Sequence, residues 1–182
     1  MRRAAFVYDD AMSHHQLRQD HPMRPVRLRY TYELLQAYGA FDHEGATLLS
    51  PRMATEEELE WLHTPEYIVA VQGLSQGSGH QDAGRFNFSF QGDNPYYPGM
   101  YDAALLSSGA SLLAAEMVAS GAADAAFNIS GGLHHAAADH ASGFCVFNDP
   151  ALAIHYLLNQ GKRVAYVDID AHHGDGVQEA FI

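Results

Sequence analysis

This 182-residue chain has one cysteine, Cys145, so no intramolecular disulfide can form, and a reducing compartment suits it. Basic residues are also scarce. Ten Lys and Arg stand against 22 Asp and Glu, for a formal net charge of −12. Six of the ten fall between Arg2 and Arg29, which leaves the remainder more acidic still. Such a balance argues against binding driven by nucleic-acid phosphates, which needs a basic footprint, and it tolerates a cationic substrate. No stretch reads as approaching the roughly 18 apolar residues of a membrane-spanning helix. The apolar residues between Arg2-Arg3 and Asp9-Asp10 are too few for the hydrophobic region of a signal peptide. These absences read as a cytoplasmic chain without membrane or nucleic-acid partners. Repeats, low-complexity tracts and linkers are missing as well, so residues 1–182 read as one domain.

What remains is globular in composition, at 47% hydrophobic and 18% charged. Ala4–Tyr8 reads as a strand, 25–38 as a helix stopped by Gly39, and Thr47–Leu49 as a brief strand. Thr55-Glu56-Glu57-Glu58 is a capping box that opens a helix through Leu62, and Thr64-Pro65 starts another toward Leu74. Residues 75–98 form a long loop whose aromatics favour an ordered, site-lining role. A helix over 99–120, a buried strand at Ala125–Ile129 and a helix capped by Asp149-Pro150 follow. Gly161 ends that helix, and 163–170 reads as a strand. Strands alternating with helices specify an α/β fold with a parallel sheet.

The segment 163–176 carries the strongest chemical signal. Its apolar run, Val164 to Val167, reads as a strand buried on both faces. It leads into Asp168, Asp170, His172, His173 and Asp175, where open α/β sheets place their ligands. In extended geometry Asp168, Asp170 and His172 share one face, which suits a divalent metal. A solvated acidic loop is the plain alternative, but so many titratable groups behind one strand favour metal chemistry. The Ala125–Ile129 strand runs into Ser130-Gly131-Gly132-Leu133-His134-His135, which delivers paired imidazoles to the same sheet edge if the strands are neighbours. Cys145 reads as a small buried hydrophobe. His14-His15, His43 and His80 read as surface residues, and His140 and His173 have no assigned chemistry.

Three segments carry a family resemblance: Ser130–Ala136, Ser142-Gly143-Phe144-Cys145-Val146-Phe147-Asn148-Asp149, and Val167–Gly176. Together they resemble the zinc-dependent histone deacetylase family, including its acetoin-utilisation-type and acetylpolyamine-type members. His21-Pro22-Met23-Arg24-Pro25-Val26-Arg27-Leu28 and His63-Thr64-Pro65-Glu66-Tyr67-Ile68 match further family segments, so the resemblance runs from about residue 20 onward. It implies a three-layer α/β fold of the arginase/deacetylase kind, a parallel sheet with helices on both faces, incomplete at its C-terminus. It also implies hydrolysis of acetyl-lysine in proteins or peptides, or of acetylated small amines, by metal-bound water. Asp170 and His172 would be metal ligands, for zinc or alternatively iron, and a structural potassium ion would lie near Asp168, Asp170 and His172. His134 and His135 would flank the water, with His135 as general base and Asp168 and Asp175 orienting the imidazoles. Gly143 and Phe144 would line the tunnel for the acyl-lysine arm. Asp93 would grip substrate backbone, and Arg27 would line an internal channel.

The resemblance further implies an aspartate ligand and an oxyanion-binding tyrosine beyond Ile182. The alternative reading is therefore a catalytically incomplete deacetylase fragment or an interaction module. An arginase-type ureohydrolase shares the fold, but it needs further carboxylates where this chain has Gly174 and Leu133. Oligomeric state and the carrier of the acyl group are left open.

Overall fold

The structure, a computed structural model, describes residues 2–14 and 17–182. It is built on a three-stranded parallel sheet with the order β2-β1-β3. Strands β1 (Ala4–Val7), β2 (Ala46–Leu49) and β3 (Ala125–Asn128) start in register, Ala4 opposite both Ala46 and Ala125. Arg3 fixes one side of that register. Its N–H donates to the Asp124 carboxylate at 2.7 Å, and its carbonyl accepts the Asp124 N–H at 2.8 Å. Since all strands run one way, Val7, Leu49 and Asn128 end at one edge, the side on which α/β sheets present ligand-binding loops.

The helices are α1 (Val26–Ala37), α2 (Glu56–Leu59), α3 (Pro65–Ser75), α4 (Met100–Ala119), α5 (Asp149–Asn159) and α6 (Asp175–Phe181). Their ends follow local chemistry. Thr55 and Glu58 form the reciprocal capping box at α2, and Glu58 also takes a forked pair of bonds from Arg52, at 2.8 and 2.6 Å. Thr64 caps α3, with Pro65 at its first position. Positive-φ Gly39 and Gly161 follow α1 and α5, as expected of residues that stop a helix. The expected loop before α4 is ordered. It contains a 3-10 turn, His80–Phe86, and buries Phe86 and Phe88 against Tyr67.

Helix α4 covers one face of the sheet, packing Leu106 and Ala110 with Val7 of β1. On the other face Phe6 stacks on Phe127 and meets Phe41, but Phe127 remains 58% exposed. The expectation that β3 is a buried strand is thus corrected: Ala125 and Phe127 are exposed, and β3 is an edge strand. The expectation about apolar length is corrected too. By length and composition α4 could cross a membrane, yet half of it is buried, and it packs on β3, α3 and α5 as the central core helix.

The largest correction concerns 163–170, which forms no strand. The segment pairs with nothing among the described residues, and most of it is exposed, Ile169 at 94%. Val164 and Tyr166 instead line an apolar groove with Ile154, Leu158, Val177 and Phe181 of α5 and α6. An apolar run supplies the side chains of a buried strand, but its defining hydrogen bonds come from a neighbour. Of the histidines read as surface residues, His14, His43 and His80 are exposed, and His15 lies outside the described residues.

Close packing of α4 generates a prediction. A Cβ added at Gly109 would lie 2.0 Å from the Arg52 carbonyl oxygen and 2.6 Å from the Ala54 nitrogen. Gly109→Ala gains about 1 kcal/mol of helix propensity. It also forces two backbones apart, and overpacking of that kind costs about 1–3 kcal/mol or more. The variant should therefore unfold at lower urea concentration than the parent, whereas a more stable variant would contradict the described α4 packing.

Candidate active site

The site begins where β3 stops. Ile129 to Leu133 turn sharply, with Gly132 at φ +88, and the Ser130 N–H donates to Asn128 Oδ1 at 3.0 Å. The turn delivers His134, which is buried, and His135, which is half-buried, with ring centroids 4.2 Å apart. Each imidazole meets its own carboxylate at Nδ1: His134 with Asp168 at 2.6 Å, and His135 with Asp175 at 2.6 Å. The chain from 168 to 177 is thereby held against the turn, and the Val177 N–H adds a bond to the His134 carbonyl at 3.2 Å.

The carboxylates are biased toward ionisation. The Tyr166 hydroxyl holds Asp168 well below the usual carboxylate range, helped by the Asp170 N–H and His134. Partial burial pulls Asp175 upward, but bonds from His135 and the Gly176 N–H outweigh it and the net shift is downward. The backbone N–H of His172, then its imidazole, lower Asp170. An ionised carboxylate only accepts hydrogen bonds, so the proton of each bond sits on Nδ1 of the histidine. In the neutral imidazole that tautomer leaves Nε2 of each ring with a lone pair, able to take a proton from a third molecule.

Asp170 and His172 do not share an extended face with Asp168, because the backbone coils through successive side-chain-to-backbone turns there. Asp168 Oδ1 accepts the Asp170 N–H, and Asp170 Oδ1 accepts the His172 N–H. Both residues are exposed, with His172 Nδ1 2.8 Å from Asp170 Oδ1 and its ring 6.0 Å from that of His135. The described residues contain no group of three or more side chains arranged to hold a metal ion. As a donor set, an imidazole and a carboxylate this close suit two positions of a divalent ion, whose tetrahedral ligands stand about 3.3 Å apart.

Of the remaining expected residues, Arg27 and Phe144 line a cavity of about 90 Å³, together with Met23, Leu133 and Asn94 among others, whereas Asp93 and Gly143 lie outside its lining. Phe144 adopts φ +71, donates its N–H to Asn94 Oδ1 at 2.8 Å and meets His21 edge-on at 4.6 Å. Gly143, at φ +50, lies directly against the His135 ring. Asp93 is exposed, and its backbone carbonyl lies 3.3 Å from His21 Nε2. Cys145 is buried as expected, and burial pushes its thiol up to about 12.

Several residues around the site were not singled out from the sequence. Asn94 braces the 141–144 segment by also donating to the Asn87 and Ala141 carbonyls. Tyr166 fixes Asp168. His63 Nε2 accepts the Asn148 N–H at 3.0 Å, and burial holds this histidine at about 4, so it stays neutral. Asn148, and not Asp149, caps α5, accepting the Ala151 N–H at 3.1 Å. Asp149 turns inward instead, toward the amides of Gly132 and Leu133. The Asn-Asp-Pro sequence fits either residue as the cap, so only the packing distinguishes them.

Comparison with known proteins adds the following. A family model described as the histone deacetylase domain matches residues 21–182. The acetoin utilization protein AcuC of Bacillus subtilis (strain 168) is 42% identical over 182 residues, covering 100% of this chain and 46% of that protein. Type-1 histone deacetylase 1 of Dictyostelium discoideum is 40% identical over 99% of the chain and 36% of its own length. Histone deacetylase 1 of Homo sapiens is 37% identical over 99% of the chain and 37% of its own length. The chain thus spans less than half the length of these curated relatives.

A Cβ at Gly143 would lie 2.3 Å from His135 Cδ2 and 2.7 Å from Cγ. Gly143→Ala should move the imidazole by about 1 Å and cost roughly 1–2 kcal/mol through left-handed backbone strain. A crystal structure of the variant with the His135–Asp175 bond unchanged would contradict this contact.

Proposed function

The chain belongs to the histone deacetylase family, and on that premise we propose that it hydrolyses the acetyl amide of acetyl-lysine or of an acetylated small amine. The observation that carries this reading is the pair of adjacent imidazoles, each bound through Nδ1 to its own ionised carboxylate. Two bases side by side with free Nε2 atoms suit a reaction in which a proton leaves an attacking water and another reaches a departing nitrogen.

His135 is assigned as the general base. It is the more accessible of the two rings and lies against Gly143, whereas His134 is buried. As water attacks the acetyl carbonyl carbon, His135 Nε2 accepts its proton, and Asp175 stabilises the resulting imidazolium. When the carbon–nitrogen bond breaks, the proton passes from the imidazole pair to the amine nitrogen, giving acetate and a free amine. Asp168 and Asp175 keep each ring in the tautomer and orientation this requires. Phe144 forms a wall for the alkyl arm of the substrate, and Asp93 accepts a hydrogen bond from its backbone. A divalent ion at Asp170 and His172, zinc by this reading with iron as the alternative, would supply Lewis acidity toward the carbonyl and the water.

Purified protein loaded with zinc should hydrolyse an acetyl-lysine peptide or an acetylated polyamine. His135→Ala should lower kcat by about 10²–10⁴ while retaining the metal, the range expected for loss of a general base. Asp170→Ala should lose the metal itself. Zinc-loaded protein inert toward both substrates would overturn the reading in favour of a non-catalytic role.

A further inference from the structure

Asp149 is the most deeply buried carboxylate in the described structure, at 1% exposed, and the mechanism above gives it no role. It is the first residue of α5, yet capping of that helix is done by Asn148. Its own oxygens serve the turn that carries the histidines. Oδ1 accepts the Leu133 N–H at 2.8 Å, Oδ2 accepts the Gly132 N–H at 3.1 Å, and Oδ2 also accepts the Ser111 hydroxyl of α4. No ion pair among the described residues neutralises it. A network beneath continues the contact: Asn128 at the end of β3 donates to Ser111 Oγ at 2.9 Å and to the Ser107 carbonyl at 3.0 Å, and its Oδ1 accepts the Ser130 N–H. Gly131 closes over this network, since a Cβ there would lie 2.5 Å from Asp149 Oδ2 and 2.8 Å from Ser111 Oγ.

We infer that Asp149 is a positioning residue, which acts through the Gly132 and Leu133 amides to fix the direction in which His134 and His135 leave the sheet. A carboxylate is the one side chain of this size that can accept from three donors at once. An asparagine would place an NH₂ group against at least one of those donors. Burying an uncompensated carboxylate is unfavourable unless its bonds are fully made. Burial indeed draws the Asp149 carboxyl upward, against the pull of Ser111 and the two amides. The cost is met where two backbone amides of the turn need an acceptor that the sheet no longer supplies. The histidine pair thus inherits its geometry from α4 and α5 as well as from β3.

The inference rests on the reading of His134 and His135 as the proton-handling pair, so its test has an arm independent of turnover. Amide hydrogen exchange in Asp149→Asn should quicken at least about tenfold at Gly132 and Leu133 while Ala151 and Leu152 in α5 keep their protection. In the active protein the same variant should lower kcat at least about tenfold with KM within about twofold, because a displaced base costs rate more than binding. Ser111→Ala removes one donor and leaves both amide bonds. It should lower kcat by about two- to fivefold with an unchanged melting temperature, and it carries the test if Asp149→Asn does not fold. Unchanged exchange at Gly132 and Leu133, or an unchanged kcat in a folded variant, would overturn the role of Asp149. Wild-type protein without hydrolytic activity would instead remove the deacetylase reading, and the exchange result would still decide whether Asp149 tethers the turn.

Discussion

The hydrogen bonds from His134 to Asp168 and from His135 to Asp175 are what the rest of the site depends on. The 162–174 segment has no strand partner among the described residues and is largely exposed, so its position is set where Asp168 docks on His134 and where Asp175, just beyond it, docks on His135. The same bonds do chemical work. They hold the proton of each neutral ring at Nδ1 and leave Nε2 as a base, and the Tyr166 hydroxyl and the Asp170 amide keep Asp168 ionised to accept. A single pair of contacts therefore assembles the site and prepares its reactivity.

Beneath these contacts lies a second layer that aims them. Parallel strands ending at one edge put the β3 turn in place, and the Asn128–Ser111–Asp149 network fixes how that turn leaves the sheet. On the open side Asn94 and Phe144 shape the cavity wall, with the Phe144 N–H held by Asn94 and its ring packed against His21. Residues from the start of the chain, the long loop and the α4–α5 region thus meet around a cavity that also touches Ser130 and Leu133 of the turn carrying the imidazoles.

Features governed by local chemistry were legible in the sequence. The Thr55–Glu58 capping box, Pro65 at the start of α3 and the stops at Gly39 and Gly161 depend on residues a few positions apart. The Gly-Gly turn before His134 was legible for the same reason. The 163–170 run reads as a strand and is not one, because its apolar side chains record a preference for pairing and the pairing depends on another strand. Helix α4 reads as falling short of spanning length because small residues, such as Gly109 against the Arg52–Ala54 backbone, interrupt its strongly apolar ones. Asn94, Tyr166 and Asp149 act through partners, most of them distant in sequence, and no local pattern announces such contacts. The family resemblance supplied candidate roles for His134, His135, Asp168 and Asp175, and the fold shows how those side chains meet.

The central claim is that each imidazole is held by its carboxylate with Nδ1 protonated and Nε2 free. Proton and nitrogen NMR of histidine-labelled protein at pH 8 measures this directly. The account predicts two strongly deshielded Nδ1 protons, one lost in Asp168→Asn and the other in Asp175→Asn, with lone-pair shifts at both Nε2 atoms in the parent. Protonation at Nε2 in either ring, or deshielded protons indifferent to both substitutions, would contradict it.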